Sequence, residues 1–132
     1  SSKYIDGALL HNSQDPYTIA LITPNKDALK AYAKEQGLDP STREAKVKML
    51  ELLQNEVNMY RKGGRLEGMF PERWLPAAVC VLPEPWTEQN HFLNSSMKVV
   101  RGRVEEAYKA NMEYAYSPEG KNIVNPMNLA SL

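Results

Sequence analysis

Two short apolar segments constrain the fold more than anything else in the chain. They are Tyr17-Thr18-Ile19-Ala20-Leu21-Ile22-Thr23 and Ala77-Ala78-Val79-Cys80-Val81-Leu82, closed by Pro24 and Pro83 respectively. Both are rich in β-branched or small apolar residues and carry no charge. They read as strands, the first buried on both faces. A third apolar run, Ala8-Leu9-Leu10, precedes the polar turn signals His11-Asn12-Ser13-Gln14-Asp15-Pro16. Antiparallel pairing of the first two strands across that turn is the simplest arrangement.

Helical signals fill the space between the strands. Asn25 is placed to cap a helix starting at Lys26, with Ala28, Leu29, Tyr32 and Ala33 as its apolar face and Gly37 as its stop. Ser41 and Glu44 have the spacing of a capping box after Pro40, and Leu50, Leu53, Val57 and Tyr60 follow at helical spacing. Lys62-Gly63-Gly64-Arg65 ends that helix, and residues 65–76 are irregular. Pro83-Glu84-Pro85 is stiff and extended. Val100, Val104, Ala107 and Tyr108 mark a last helix, in which Glu105 and Lys109 are one turn apart and placed to pair. That helix fades near Tyr116-Ser117-Pro118, and Glu119–Leu132 reads as a packed extended tail or a short terminal turn. The order predicts an α+β domain: a small, mainly antiparallel three-stranded sheet flanked by helices.

Bulk properties exclude several functions. The 132 residues carry 16 basic and 16 acidic side chains, so no net charge favours nucleic acid or an anionic membrane. The single cysteine, Cys80, excludes an internal disulfide and fits a reducing compartment, with the cytoplasm as the default. No apolar run approaches the roughly 20 residues of a spanning helix. His11, His91 and Cys80 lack the spacing of a metal-ligand set, and a core thiol with two surface histidines is the favoured reading. No nucleophile elbow or phosphate-loop pattern is present.

The remaining candidate chemistry is cationic. Lys98, Arg101 and Arg103 cluster where a polar loop becomes a helix, with Lys109 further on and no acid nearer than Glu105. A helix N-terminus disfavours cations, so the cluster is either a solvated first turn or a site for an anion.

The stretch Pro85-Trp86-Thr87-Glu88-Gln89-Asn90-His91-Phe92-Leu93-Asn94-Ser95-Ser96-Met97-Lys98-Val99-Val100-Arg101 resembles the last core motif of the acyl-activating, adenylate-forming enzymes, with the long-chain fatty-acid–CoA ligases as the nearest pattern. Without a gap, Trp86 falls on the family's aromatic residue, Asn90 on its asparagine, Leu93 on its second leucine, Lys98 on its lysine and Arg101 on its arginine. His91 stands where the family has glycine, and Asn94, Ser95 and Ser96 stand where it has Thr, Pro and Thr. The likeness is collinear over most of the chain, from Tyr4-Ile5-Asp6-Gly7-Ala8 to Tyr108.

The resemblance implies that residues 1–132 form a single domain, the C-terminal lobe of a larger enzyme. On that reading the N-terminal adenylation domain, the hinge and the Gly-rich loop lie outside this chain, which agrees with a start at Ser1-Ser2-Lys3 without methionine. It further implies a lysine, Lys98, that assists acyl-adenylate formation, after which the lobe rotates for thioester formation with CoA. Lys98 is then the catalytic residue, with Arg101 and Ser96 as substrate-contacting residues. A structural or interdomain role is favoured for Arg101 over direct catalysis. ATP and Mg would be bound mainly by the adenylation domain, and CoA would be the co-substrate. The partners implied are that domain, a fatty acid, ATP and CoA, with peripheral membrane association of the full-length enzyme as a further expectation. The isolated lobe is expected to be inactive. The alternative is a non-catalytic interaction or regulatory module derived from such a lobe.

Overall fold

Residues 2–59 and 76–132 are described by the computed structural model. Strand β1 (Ile5–His11) pairs antiparallel with β2 (Ile19–Pro24), with Leu9 opposite Leu21 and a bulge between Ile5 and Gly7. Helices α1 (Lys26–Glu35) and α2 (Arg43–Asn58) lie between β2 and β3 (Ala78–Val81) in sequence. Strand β3 joins the other edge of β2 in parallel, Leu21 opposite Cys80. The first ladder is therefore the expected hairpin, while the second makes the sheet mixed. Parallel neighbours need a long crossover, and the helical stretch between β2 and β3 supplies it.

All six residues of the central strand β2 are buried. Its alternation sends Ala20 and Ile22 to one face, against Leu29 of α1 and Met49, Leu50 and Leu53 of α2. Ile19 and Leu21 go to the other, against Trp86, Phe92, Val104 and Tyr108. Full burial of each large aliphatic side chain contributes roughly 1.5–3 kcal/mol. Two cores thus form back to back on one sheet, which explains why β2 reads as unbroken apolar sequence.

Local signals set most boundaries. The Asn25 side chain caps α1 by accepting from Ala28 N at 3.1 Å. The cap of α2 is Thr42, not Ser41: Thr42 Oγ1 accepts from Ala45 N, while Ser41 turns back to donate to Asp39 through both its backbone N–H and its hydroxyl. Tyr60, the Lys62–Arg65 stop and the irregular stretch up to residue 75 fall outside the described residues.

The last helix is broken in two, α3 (Arg101–Ala107) and α4 (Lys109–Ala115), at Tyr108, whose φ of −114° and ψ of 27° leave the helical region. Its hydroxyl donates to Glu84 at 3.0 Å, fixing the break over the Pro-rich segment. The chain then turns closely under α4. Gly120 lies so near Tyr114 that a Cβ would fall 1.9 Å from its carbonyl oxygen, so no side chain fits there.

The tail ends in a short helix, α5 (Pro126–Ala130), capped by Asn125. Its buried Asn128 takes the place of a fourth strand. Oδ1 accepts from Val81 N, and Nδ2 donates to Val79 O and to Ile123 O, at 2.9–3.0 Å. The outer edge of β3 is thereby satisfied without another strand.

Candidate functional site at the Lys98 turn

Between β3 and α3 the chain makes two consecutive tight turns, each organised by an asparagine. Asn90 Oδ1 accepts from the N–H groups of Thr87 and Phe92, and its Nδ2 donates to Pro85 O. Asn94 Oδ1 accepts from Ser96 N at 2.9 Å and from Lys98 N at 3.0 Å. The backbone closes the second turn: Asn94 N donates to Lys98 O, Met97 N to Asn94 O, and Val100 N to Phe92 O. Leu93 and Val99 face each other as an antiparallel bridge beneath it. Asparagine suits such turns because its side chain substitutes for a backbone acceptor.

Lys98 therefore stands at the exposed tip of a hydrogen-bonded hairpin whose base, through Phe92, is anchored in the second core. Among the described residues its ammonium makes no hydrogen bond or ion pair. Beside it Met97 is 63% exposed and adopts φ 61°, in the left-handed region. Ser96 is exposed in the same turn.

Arg101 opens α3 on the far side of the turn. Its Nη1 donates to Leu10 O at 2.6 Å and lies 3.8 Å from Glu105 Oε2. The same Glu105 oxygen is hydrogen-bonded to His11 Nδ1. His11 Nε2 is in turn 3.5 Å from Asp15, and the His11 carbonyl oxygen accepts from the Tyr116 hydroxyl. Glu105 thus pairs with β1 and Arg101 and not with Lys109, because α3 packs with this face toward the end of the sheet. His11 is a half-buried link in that network and not a free surface histidine.

The sequence cluster is divided by the fold. Lys98 precedes α3, Arg101 is engaged with Leu10 and Glu105, and Arg103 is exposed. A seven-residue helix with no side-chain cap gives little dipole to oppose these charges. Cys80 is buried in β3, and burial pushes its thiol up to about 12. Sequence reasoning missed Asn94 as the organiser of the turn and Glu105 as its tie to β1. The Asn-Ser-Ser run was the available signal for the first, and nothing local signalled the second.

No protein-family model matches the chain. It is 28% identical over 123 residues to long chain acyl-CoA synthetase 8 of Arabidopsis thaliana, covering 89% of this chain and 16% of that protein. Among solved structures it is similar to the adenylation domain of a carboxylate reductase from Mycobacterium chelonae, with a TM-score of 0.58 and 22% identity over 86% of this chain and 16% of that one. It is also similar to the A-PCP didomain of the carboxylic acid reductase from Segniliparus rugosus, solved in complex with AMP, with a TM-score of 0.59 and 21% identity over 88% of this chain and 14% of that one. The chain therefore spans about a sixth or less of the lengths of these proteins.

The sequence likeness and the fold likeness point the same way: the chain has an α+β fold similar to part of adenylation-domain structures. Its sequence is similar to part of a long-chain acyl-CoA synthetase.

Proposed function

We propose that this lobe is the movable C-terminal part of an ATP-dependent fatty-acid–CoA ligase and that Lys98 assists its first half-reaction. In that step a carboxylate oxygen attacks the α-phosphorus of ATP, an acyl–phosphate bond forms and pyrophosphate leaves. Two anions approach and negative charge builds on the phosphoryl oxygens. A lysine ammonium set between them steers the approach and stabilises that charge. It acts as a charged donor on a long, flexible stem, so it can reach from a turn tip into a pocket on another domain.

One observation carries this reading: Lys98 is unpartnered among the described residues at the tip of a turn that its neighbours hold rigid. The exposed Met97 beside it supports closure of this tip against an apolar surface elsewhere. Arg101, bonded to Leu10 and facing Glu105, is assigned to positioning the turn. Ser96 is assigned to substrate contact. ATP and Mg are assigned to the adenylation domain, and the thiol of CoA displaces AMP from the acyl adenylate after the lobe rotates. On its own the lobe is inactive. The full-length enzyme is assigned to the cytoplasm, with peripheral membrane association.

The test uses the full-length enzyme. Lys98→Ala lowers carboxylate-dependent ATP–pyrophosphate exchange by about 10²–10³-fold, while thioester formation from preformed acyl adenylate persists. Equal loss in both half-reactions overturns the role. A second reading concerns only the acceptor. Both structural neighbours are carboxylate reductase adenylation domains, one solved with its PCP domain, which favours a carrier-bound thiol as the alternative to free CoA. Comparing the two thiols as acceptors with the full-length enzyme separates the readings.

A further inference from the structure

The face of the molecule formed by α1 and α2 carries a cavity of about 460 Å³. Four lysines line it, Lys26, Lys30 and Lys34 from α1 and Lys46 from α2, against a single acidic side chain, Asp39. Buried Leu29 and Met49 lie beneath it, and partly exposed Pro40 and Leu132 provide apolar lining.

This concentration of charge is unusual for a chain whose acids and bases balance at 16 each. The three α1 lysines recur every four residues, so they stack along one side of the helix, where like charges repel. Lys26 Nζ is fixed by donating to Pro83 O at 2.7 Å. Lys30 and Lys46 make no side-chain hydrogen bond or ion pair among the described residues. Asp39 gives little relief, because its carboxylate already accepts from the backbone N–H and hydroxyl of Ser41. Those bonds, with Lys34 adding to them, hold it below the usual carboxylate range. The first turn of the 16-residue α2 lies beside Ser41 and Lys46 and adds the positive end of its dipole.

We propose that this groove binds a phosphate-bearing ligand, with Lys30, Lys34 and Lys46 on the phosphate and the partly exposed Pro40 and Leu132 side chains against the remainder of the molecule. Phosphate fits better than a lone carboxylate because several lysines line the same groove, and lysines meet phosphate oxygens as point charges without requiring a planar fork. A cavity of this size matches small-molecule sites, which run from about 300 to 1,000 Å³. The groove lies on the opposite side of the sheet from the core that anchors the Lys98 turn, so the proposal stands apart from the adenylation reading. A free phosphate ester and a phospholipid headgroup share the chemistry, and the experiment distinguishes them.

The 132-residue chain, labelled with ¹⁵N, is titrated with sodium pyrophosphate at low ionic strength. In parallel it is sedimented with phosphatidylcholine vesicles containing phosphatidic acid. Saturable pyrophosphate shifts confined to residues 26–34 and 41–49, weakened at least tenfold in Lys30→Gln/Lys46→Gln with unchanged circular dichroism, support a soluble phosphate ligand. Vesicle binding lost in the same variant, without saturable pyrophosphate shifts, assigns the phosphate to a lipid. The absence of both, or binding equally strong in the variant, overturns the proposal.

Discussion

Arg101 Nη1 donates to the carbonyl oxygen of Leu10 at 2.6 Å, tying the start of the helix after Lys98 to the last turn-ward residues of β1. Glu105 doubles that tie, since one of its oxygens faces Arg101 and is also bonded to His11. The two residues differ in exposure: the Arg101 side chain is 53% exposed and that of Glu105 only 26%. Their substitutions should separate accordingly. Glu105→Ala lowers unfolding stability by about 1.5–3 kcal/mol, the range for a hydrogen bond to a charged group. Arg101→Ala costs about 1 kcal/mol or less, because the side chain that makes both the hydrogen bond to Leu10 and the ion pair is solvent-exposed, and exposed charged contacts contribute little. Urea denaturation of the two variants measures both, and an equal cost contradicts the assigned order.

His91 occupies the position where the resembled motif has glycine, and its φ is 67°. That is the left-handed region, which glycine enters most readily. Histidine bears a steric cost there of about 1–2 kcal/mol, partly offset by the greater unfolded-state freedom of glycine. His91→Gly is expected to raise stability by roughly 0.5–1 kcal/mol, read as a higher urea midpoint at unchanged slope. A lower midpoint would show that the imidazole makes a contact worth more than the strain.

Asn128 makes three hydrogen bonds from a site 3% exposed. Replacement by alanine leaves Val81 N and Val79 O without that partner at the edge of β3, and each unsatisfied buried group costs about 1–3 kcal/mol. Asn128→Ala should therefore destabilise by at least about 2 kcal/mol. Amide exchange at Val81 should accelerate more than at Leu21 in the central strand. Equal acceleration at both would mean that α5 does not protect the edge specifically.

Alkaline pH should unfold the protein through its second core. Burial pushes the Cys80 thiol up to about 12. Burial, together with the hydrogen bond to Glu84, pushes the Tyr108 hydroxyl up as well. In the unfolded chain the thiol ionises near 8.5, whereas the folded state keeps its proton. Stability is therefore fully present below that value and falls as pH rises toward 12, by up to about 1.4 kcal/mol per pH unit from this group. Urea midpoints at pH 8 to 11 follow the fall, and Cys80→Ala makes it shallower. The native thiol should also resist disulfide reagents at pH 8 until denaturant is added.

The sheet strands were legible because burial on both faces writes itself into sequence as uninterrupted apolar residues. Ile19–Thr23 and Ala78–Val81 could scarcely be anything else. The Asn25 cap was legible for the same local reason. The mixed pairing of the sheet was not, since strand direction depends on the crossover and not on the strand. Nor was the kink at Tyr108, where a hydroxyl contact with Glu84 lies 24 residues away in sequence. The tail reads in sequence as either extended or a short terminal turn, because a five-residue helix has too few turns to show periodicity.

By itself the sequence determined an α+β fold with its apolar strands, its first helix cap and a lysine at the join of loop and helix. These follow from patterns within one element, where composition and spacing decide the outcome. Only the tertiary structure decided which cations are free. It turned Arg101 back onto Leu10 and Glu105, left Lys98 at a turn tip held by Asn94, and gathered four lysines around one groove. The physical reason is that a charge's role depends on what lies within a few ångströms of it. Those neighbours come from residues as distant in sequence as Leu10 and Arg101, or Lys30 and Lys46.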